Sequence, residues 1–522
     1  MSTKTGDQDS EFTLGNLLRG YAASRPEAPC LTFQGETLSY GKLNEHSSRV
    51  ANALISKGLS RGSRVAILAR NSPVFYEVEF ACAKAGTIML PVNWRLSARE
   101  IAGILKDADP GLVLTDVEFA DKLPTSIGSK TLDVIDLDND YQSWREAASS
   151  TDPNLKVDAE DTVLLLYTSG TTGRPKGVMI SHHNLSFSER MAREIWRFNA
   201  DSVNLVALPL FHIGGIGYGQ MALTQGGHTV LLTQPSPEAL ISAITDNRVT
   251  HTFLVPAVIQ ALVDFKGVDA MNMSSLELMV YGSAPISETL LMRAMDVFGC
   301  GFTHAYGMTE TSGTVITLLP EEHDPGGEHA GRLRSCGRPL PWVEAGLFDP
   351  TTSQEVPRGE AGEIWIRSQM NMQGYWNKPE ETAATVLPGG WLRTGDAAFR
   401  DDDGYYYIHD RYKDMIISGG ENIYPTEIEN VLYEHPGIAE TAVIGIPHER
   451  WGETPKAIVV PKTDAELSEP ELIEFVRERL ARYKCPTSVA FVDALPRNAS
   501  GKILKHELRA EYRTSTKEGT GK

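Results

Sequence analysis

Cysteine is scarce, with five in 522 residues, and Cys30, Cys82, Cys300, Cys336 and Cys485 form no Cys-x-x-Cys pair. So sparse and odd a set argues against a disulfide framework or a cysteine zinc site and fits buried thiols in a reducing compartment. Basic residues are also short: 49 Lys and Arg against 68 Asp and Glu leave a net charge of −19. A nucleic-acid binder needs a broad basic surface, so that class is excluded. Any anion must instead be held by local donors. Long apolar runs are missing too. The best candidate, 203–230, is interrupted by Pro209, His212, His228 and several glycines, so it does not read as a membrane span. The first fourteen residues lack an apolar signal core, and the expected location is cytoplasmic.

What remains is an ordinary globular composition long enough for about three folding units. The first third alternates strand and helix. Ser39 caps a helix with apolar positions Leu43, Val50, Ala51 and Leu54, stopped by Gly58, and 64–68 reads as a buried strand. Ser72-Pro73 opens a second helix ending at Gly86, followed by a strand over 87–92. This rhythm predicts α/β structure with helix-covered sheets. Residues 360–367 and 405–409 look like strands of a small antiparallel barrel, and the last hundred residues restart as an α+β unit. In that unit, strands are expected over 441–446 and 456–460, and a capping box Ser468–Glu471 precedes a helix over 472–483. From Arg477 onward eleven basic residues outnumber five acidic ones, which reads as a solvated face or a polyanion dock.

The strongest local signal is Thr168-Ser169-Gly170-Thr171-Thr172-Gly173-Arg174-Pro175-Lys176-Gly177, after an apolar strand and before a helix that Ser181 would cap. Small residues admit phosphate oxygens close to the backbone, hydroxyls and amides donate to them, and Lys176 adds charge. It is not a Walker loop, because Gly177 follows the lysine. No Gly-x-Ser-x-Gly elbow or His-Glu-x-x-His helix occurs.

Together with Tyr306-Gly307-Met308-Thr309-Glu310-Thr311, Trp391–Asp396, Asp410-Arg411-Tyr412-Lys413-Asp414, Ser418–Pro425 and Pro496–Lys502, that loop resembles the adenylate-forming superfamily of acyl-CoA synthetases, peptide-synthetase adenylation domains and luciferases. The motifs occur in the family's order across nearly the whole chain. The resemblance implies a large N-terminal domain (1–411) of helix-covered sheets with a small barrel, and a small mobile C-terminal domain (412–522). It implies ATP, Mg²⁺ and coenzyme A as cofactor and co-substrates. A carboxylate would first form an acyl-adenylate and pyrophosphate; a thiol would then displace AMP.

By the same resemblance, Lys502 and Thr309 act at the α-phosphate and Glu310 holds the metal. Thr168, Ser169, Gly170, Thr171, Thr172, Gly173 and Lys176 cradle phosphates. Gly282, Ser283, Ala284, Tyr306, Gly307 and Met308 border the adenine, and Asp396 and Arg411 meet the ribose. Lys413 is the hinge, and Gly419, Gly420 and Glu421 border the coenzyme A tunnel. His212, Gly214, Gly215 and Gly217 line the acyl pocket. No Asp or Glu occurs from Val203 to Gln234, so an acid with an uncharged tail is favoured over an amino acid. A medium- or long-chain fatty acid is the first expectation and an aromatic or cyclic acid the second. An adenylation enzyme loading a carrier protein, and a silent nucleotide sensor, are the rivals. Peripheral membrane contact and a homodimer stay open.

Overall fold

The computed structural model describes residues 12–168, 175–411, 414–418, 421–448, 451–463, 465–497 and 503–514. Two large sheets carry the first part of the chain. One runs, edge to edge, through strands Arg338–Pro339, Gly313–Leu318, Gly301–Met308, Leu278–Gly282, His251–Leu254, Val203–Val206, His228–Leu231, Pro29–Phe33 and Glu36–Ser39. The other runs Gly374–Tyr375, Lys176–Ser181, Thr162–Thr168, Ile88–Pro91, Arg64–Leu68, Leu112–Thr115 and Val134–Asp136. Both are parallel in the middle and antiparallel toward an edge, as crossover helices require. The barrel-like unit expected near residues 360–409 is a four-stranded antiparallel sheet built on Gly362–Arg367 and Trp391–Arg400.

The helix Val74–Ala85 sits between the two layers, buried from Phe75 through Ala85. On one side it meets the strands Ile88–Pro91 and Thr162–Thr168. On the other, Tyr76 and Glu79 meet Gly219 and Gln220, which end a helix (Ile213–Gly219) lying on the strand Val203–Val206. Gly86 ends the central helix at φ 69°, where an L side chain would be strained. A helix buried all round must pair its charges. Glu77 accepts from the Tyr141 hydroxyl at 2.7 Å, from Arg145 at 3.0 Å and from His46 at 2.8 Å. Burial works to raise its carboxyl, but these donors hold it below the usual range. Lys84 reaches Asn44 Oδ1 at 2.6 Å, Ser48 at 2.8 Å and Asp152 at 3.2 Å. Among the described residues Glu79 has only the Gln220 amide, and burial pushes it up to about 8.

The phosphate-loop motif turns a strand back on itself: Thr162–Thr168 pairs antiparallel with Lys176–Ser181 before Ser181 caps the helix His182–Arg190. An added strand therefore separates the loop from its helix. The later strands are Ile438–His448 and Gly452–Pro461, and their apolar cluster (Ile416, Ile428, Leu432, Val443, Val459, Leu472, Val476) stands apart from the earlier ones. The helix expected over 472–483 runs Glu469–Arg477, because its buried stripe ends at Val476.

Glu79 gives a test. Its folded pKa lies above the unfolded value of 4.5, so the native state keeps a proton the unfolded chain loses, and stability falls as pH rises from there toward about 8. Glu79→Gln removes that dependence. Its melting temperature should gain on the parent by about 2–5 °C between pH 6 and pH 8.5. A pH-independent difference in thermal melts would refute the buried neutral carboxyl.

Candidate functional site

Ligands of open α/β sheets bind where parallel strands end at their carboxyl edge. In the first sheet that edge holds Gly282-Ser283-Ala284, after the strand Leu278–Gly282, and Tyr306-Gly307-Met308, closing the neighbouring strand Gly301–Met308. Gly282 is paired with Ala305, and a Cβ on it would lie 2.2 Å from the Ala305 carbonyl oxygen. One on Gly307 would lie 1.9 Å from the Gly313 oxygen. Both glycines are required by backbone approach. Ser283 is exposed and held at φ 65°, an uncommon conformation for a non-glycine residue. Thr309 and Glu310 follow in a short 3₁₀ turn (Thr309–Thr311), with Thr309 half-buried.

Two hydrogen bonds draw distant motifs to this edge. The Tyr306 hydroxyl donates to Asp396 Oδ2 at 2.8 Å, joining the first sheet to the antiparallel one. Asp396 is itself braced. Buried Glu363 accepts from the Gly395 amide at 2.9 Å and from Arg393 at 2.8 Å, while the Asp396 amide donates to Thr394 Oγ1 at 3.1 Å. Arg411 stands opposite Asp396 in the strand register. The second bond runs from Tyr375 Oη to Glu310 Oε1 at 2.9 Å. Lys176 Nζ stands 4.7 Å from the centroid of the same Tyr375 ring, a cation–π contact. Thr168 and Lys176 are register partners, so the phosphate loop leaves and returns beside Tyr375, which pairs with Val178. Glu310 is 7 % exposed, and its carboxylate suits one hard cation shared with phosphate oxygens. Among the described residues no cluster of three or more metal-ligating side chains exists.

The segment expected to line the acyl pocket packs beside Ser283. Asn71 clamps its entry: Nδ2 donates to Leu208 O at 2.9 Å and Oδ1 accepts from Leu210 N–H at 2.9 Å. His212 caps the helix Ile213–Gly219 with its backbone. Burial pushes its imidazole down to about 4, and Arg95 adds to that, so it is neutral at physiological pH. The glycines separate by role. A Cβ on Gly214 would face Ser283 Oγ and Phe253 at 3.8 Å, so this residue lines the cleft. One on Gly215 would lie 2.0 Å from the Pro209 oxygen, so this glycine seats the helix. On Gly217 it would meet only Ile213.

Residues 169–174, Lys413, Gly419, Gly420 and Lys502 lie outside the described residues, as do the side chains of Arg411 and Glu421. The sequence reading missed Asn71, Glu363 and Tyr375. Each acts through a partner remote in sequence, and only Tyr375, between Gly374 and Trp376, carried even a compositional hint.

The two adjacent glycines should respond differently to a methyl group. Gly215→Ala is expected to cost about 2 kcal/mol or more, since a carbonyl must move, and Gly214→Ala less than about 1 kcal/mol. Denaturant unfolding measures both. Equal costs would refute the distinction.

Taken together, the edge can hold a nucleotide between Tyr306, Asp396, Lys176 and Glu310, with an organic acid beside it along Gly214. The comparisons agree. Residues 18–376 match the family model of the AMP-binding enzymes, and 427–502 match that of their C-terminal domain. The chain is 38% identical over 507 residues to a fatty acid–acyl-carrier-protein ligase of Streptomyces coeruleorubidus, covering 96% of each. It is 39% identical over 492 residues to a feruloyl-CoA synthase of an Amycolatopsis species, covering 94% of this chain and 97% of the relative. Among solved structures, ATP-bound MatB from Rhodopseudomonas palustris superposes with a TM-score of 0.87 at 32% identity, over 96% of this chain and 99% of that one. An anthranilate CoA ligase with anthranoyl-AMP gives a TM-score of 0.90 at 26% identity, over 97% and 98%. With both of its parts matched, the chain belongs to the adenylate-forming family of AMP-binding enzymes and is an AMP-forming acid–thiol ligase.

Proposed function

We propose that this chain joins a carboxylic acid with an uncharged tail to coenzyme A. A carboxylate oxygen attacks the α-phosphorus of ATP, the bond to pyrophosphate breaks, and the coenzyme A sulfur then displaces AMP at the acyl carbon. The observation that carries this is the pair of hydrogen bonds, Tyr306 to Asp396 and Tyr375 to Glu310, that tie the antiparallel sheet and the Lys176 hairpin to the strand edge whose Ser283 faces Gly214. With its hydroxyl given to Asp396, Tyr306 offers adenine its ring face, and Asp396 meets the ribose. Glu310 fits Mg²⁺, which when bound supplies charge neutralisation at the phosphate oxygens. Lys176 and the loop it closes attract the phosphates, and Thr309 donates to the α-phosphate.

Neutral His212 adds no charge near the acyl group, and the segment around it carries no acidic side chain to pair an ammonium. We further propose that 412–522 rotates about Lys413 between the two half-reactions. One arrangement would bring Lys502 to the carboxylate and α-phosphate as negative charge redistributes. The other would bring Gly419, Gly420 and Glu421 to the thiol's path. The separate apolar cluster of the later residues supports a unit able to turn as one body. A carrier-protein thiol is the second reading, favoured by the likeness to the Streptomyces relative. Supplying ATP, Mg²⁺ and an acid panel with coenzyme A or a phosphopantetheinylated carrier separates the two. Thioester on the carrier alone would put the second reading first.

Lys502→Ala should nearly abolish acid-dependent ATP–pyrophosphate exchange while thioester formation from preformed acyl-adenylate survives. Exchange at the parent rate would remove Lys502 from the chemistry. Tyr375→Phe leaves Glu310 without its aromatic donor, so the Mg²⁺ concentration for half-maximal rate should rise about 3- to 10-fold. Glu310→Gln should show a larger loss, partly recovered by added Mg²⁺. Parent-like Mg²⁺ titrations for both would take the metal away from Glu310.

A further inference from the structure

The helix His182–Arg190 begins with a capping box whose third helical residue does more than cap. Asn184 Oδ1 accepts from the Ser181 amide at 2.9 Å, and Ser181 Oγ accepts from the Asn184 amide at 3.1 Å. Those bonds satisfy the helix start and use only the oxygen of the Asn184 side chain. An Asp there would serve the cap as well, and its charge would suit a helix N-terminus better. The side-chain nitrogen is engaged elsewhere. Asn184 Nδ2 donates to Gln369 O at 2.8 Å and to Asn371 O at 3.0 Å, across 185 and 187 residues of chain. Asn184 is 5 % exposed, so both donors are withdrawn from water and both are paired. That this residue is an amide and not an acid answers to the second pair of bonds.

The stretch that Asn184 grips leads to Glu310. Residues 368–373 leave the strand Gly362–Arg367 of the antiparallel sheet and enter Gly374–Tyr375, which pairs with Val178 and Met179 of the phosphate hairpin. Met370 and Met372 are buried along the way. Directly after the two gripped carbonyls, the Met372 amide donates to the Glu310 carbonyl at 2.8 Å. Further along, the Tyr375 hydroxyl donates to the Glu310 carboxylate at 2.9 Å. One short stretch thereby fixes Glu310 at its backbone and at its side chain. The stretch is held to the hairpin by Gln373 N–H to Met179 O at 3.1 Å and by Trp376 N–H to Gly177 O at 2.7 Å. Both bonds lie in its second half. Its first half is joined to the helix by the Asn184 amide.

We propose that Asn184 is a positioning residue for the metal-dependent half-reaction: its amide fixes residues 369–371, and through Met372 and Tyr375 it sets the place of the Glu310 carboxylate. The proposal rests on the reading of Glu310 as the residue that holds nucleotide-bound Mg²⁺. Asn184 acts through these partners and not on the nucleotide, as residues behind a metal ligand commonly do.

The test measures ATP binding to the full chain by calorimetry, with excess Mg²⁺ and again in EDTA, so that no acid need be identified. The ratio of the two dissociation constants reports what the metal adds. Asn184→Asp keeps the cap but turns the two donors into an oxygen facing carbonyls, and the ratio should fall about 3-fold or more. Asn184→Ala removes the donors without adding charge and should move the ratio the same way. On a Tyr375→Phe background, which breaks part of the same path, Asn184→Asp should move it by less than its full effect. A role in the fold alone would lower the melting temperature of both variants and leave the ratio at the parent's value, and that result would overturn the proposal. So would full additivity with Tyr375→Phe. Should Asn184→Asp fail to fold, Asn184→Ala decides by the same ratio. A parent chain that binds ATP no better with Mg²⁺ than in EDTA would remove the metal reading of Glu310 and this proposal with it. A ratio lowered by Glu310→Gln but unmoved in the Asn184 variants would sink the proposal alone.

Discussion

A helix buried on every face must bring a partner to each charge it carries, and the position of Val74–Ala85 between two sheets makes this the constraint on which the molecule depends. Glu77 gathers His46, Tyr141 and Arg145, and Lys84 gathers Asn44, Ser48 and Asp152. Six residues scattered from 44 to 152 are thus tied to about two turns of helix. Breaking one partner of such a pair would leave an uncompensated buried charge, so the arrangement tolerates little displacement of the sheets. Glu79 is the exception on the same helix. It carries one amide contact and stays protonated near neutrality. It also marks where that helix touches the end of the helix Ile213–Gly219.

The nucleotide edge depends on a second kind of tie. Tyr306 and Asp396 are ninety residues apart and lie on different sheets, yet one hydroxyl joins them. Tyr375 does the same for the phosphate hairpin and Glu310, offering its ring to Lys176 and its hydroxyl to the carboxylate. Glu363 and Asn71 act one step further out, holding the turn before Asp396 and the entry to the acyl segment. Such side-chain to backbone bonds position a site without touching what it binds.

The helix Ile213–Gly219 shows how burial changes the meaning of a residue. Four glycines in one helix look alike as sequence, yet among them Gly214 faces Ser283, whereas Gly215 brings the helix onto a carbonyl. The absence of acidic residues from Val203 to Gln234 holds along the chain but not in space, since Glu79 arrives beneath Gln220 from another element. Burial pushes that carboxyl up to about 8, so it brings no negative charge to the helix end near neutrality. Trp196, Phe198, Tyr218 and Phe253 pack their rings against one another behind that helix, at centroid separations of 5.4–6.2 Å.

By itself the sequence determined the family, the α/β class and the order of the motifs, because these rest on short-range chemistry: a glycine where φ is positive, a serine before a helix, a small-residue loop for phosphate. The caps at Ser39 and Ser181 and the stop at Gly86 were legible for that reason. Tertiary structure alone decided that the phosphate loop joins two strands, that Glu310 takes its hydroxyl from Tyr375, and that Tyr218 lies one turn below Gly214. Each of those depends on the register between strands or on which buried polar atom finds a partner. Such outcomes follow from packing the whole chain at once, and no local pattern encodes them.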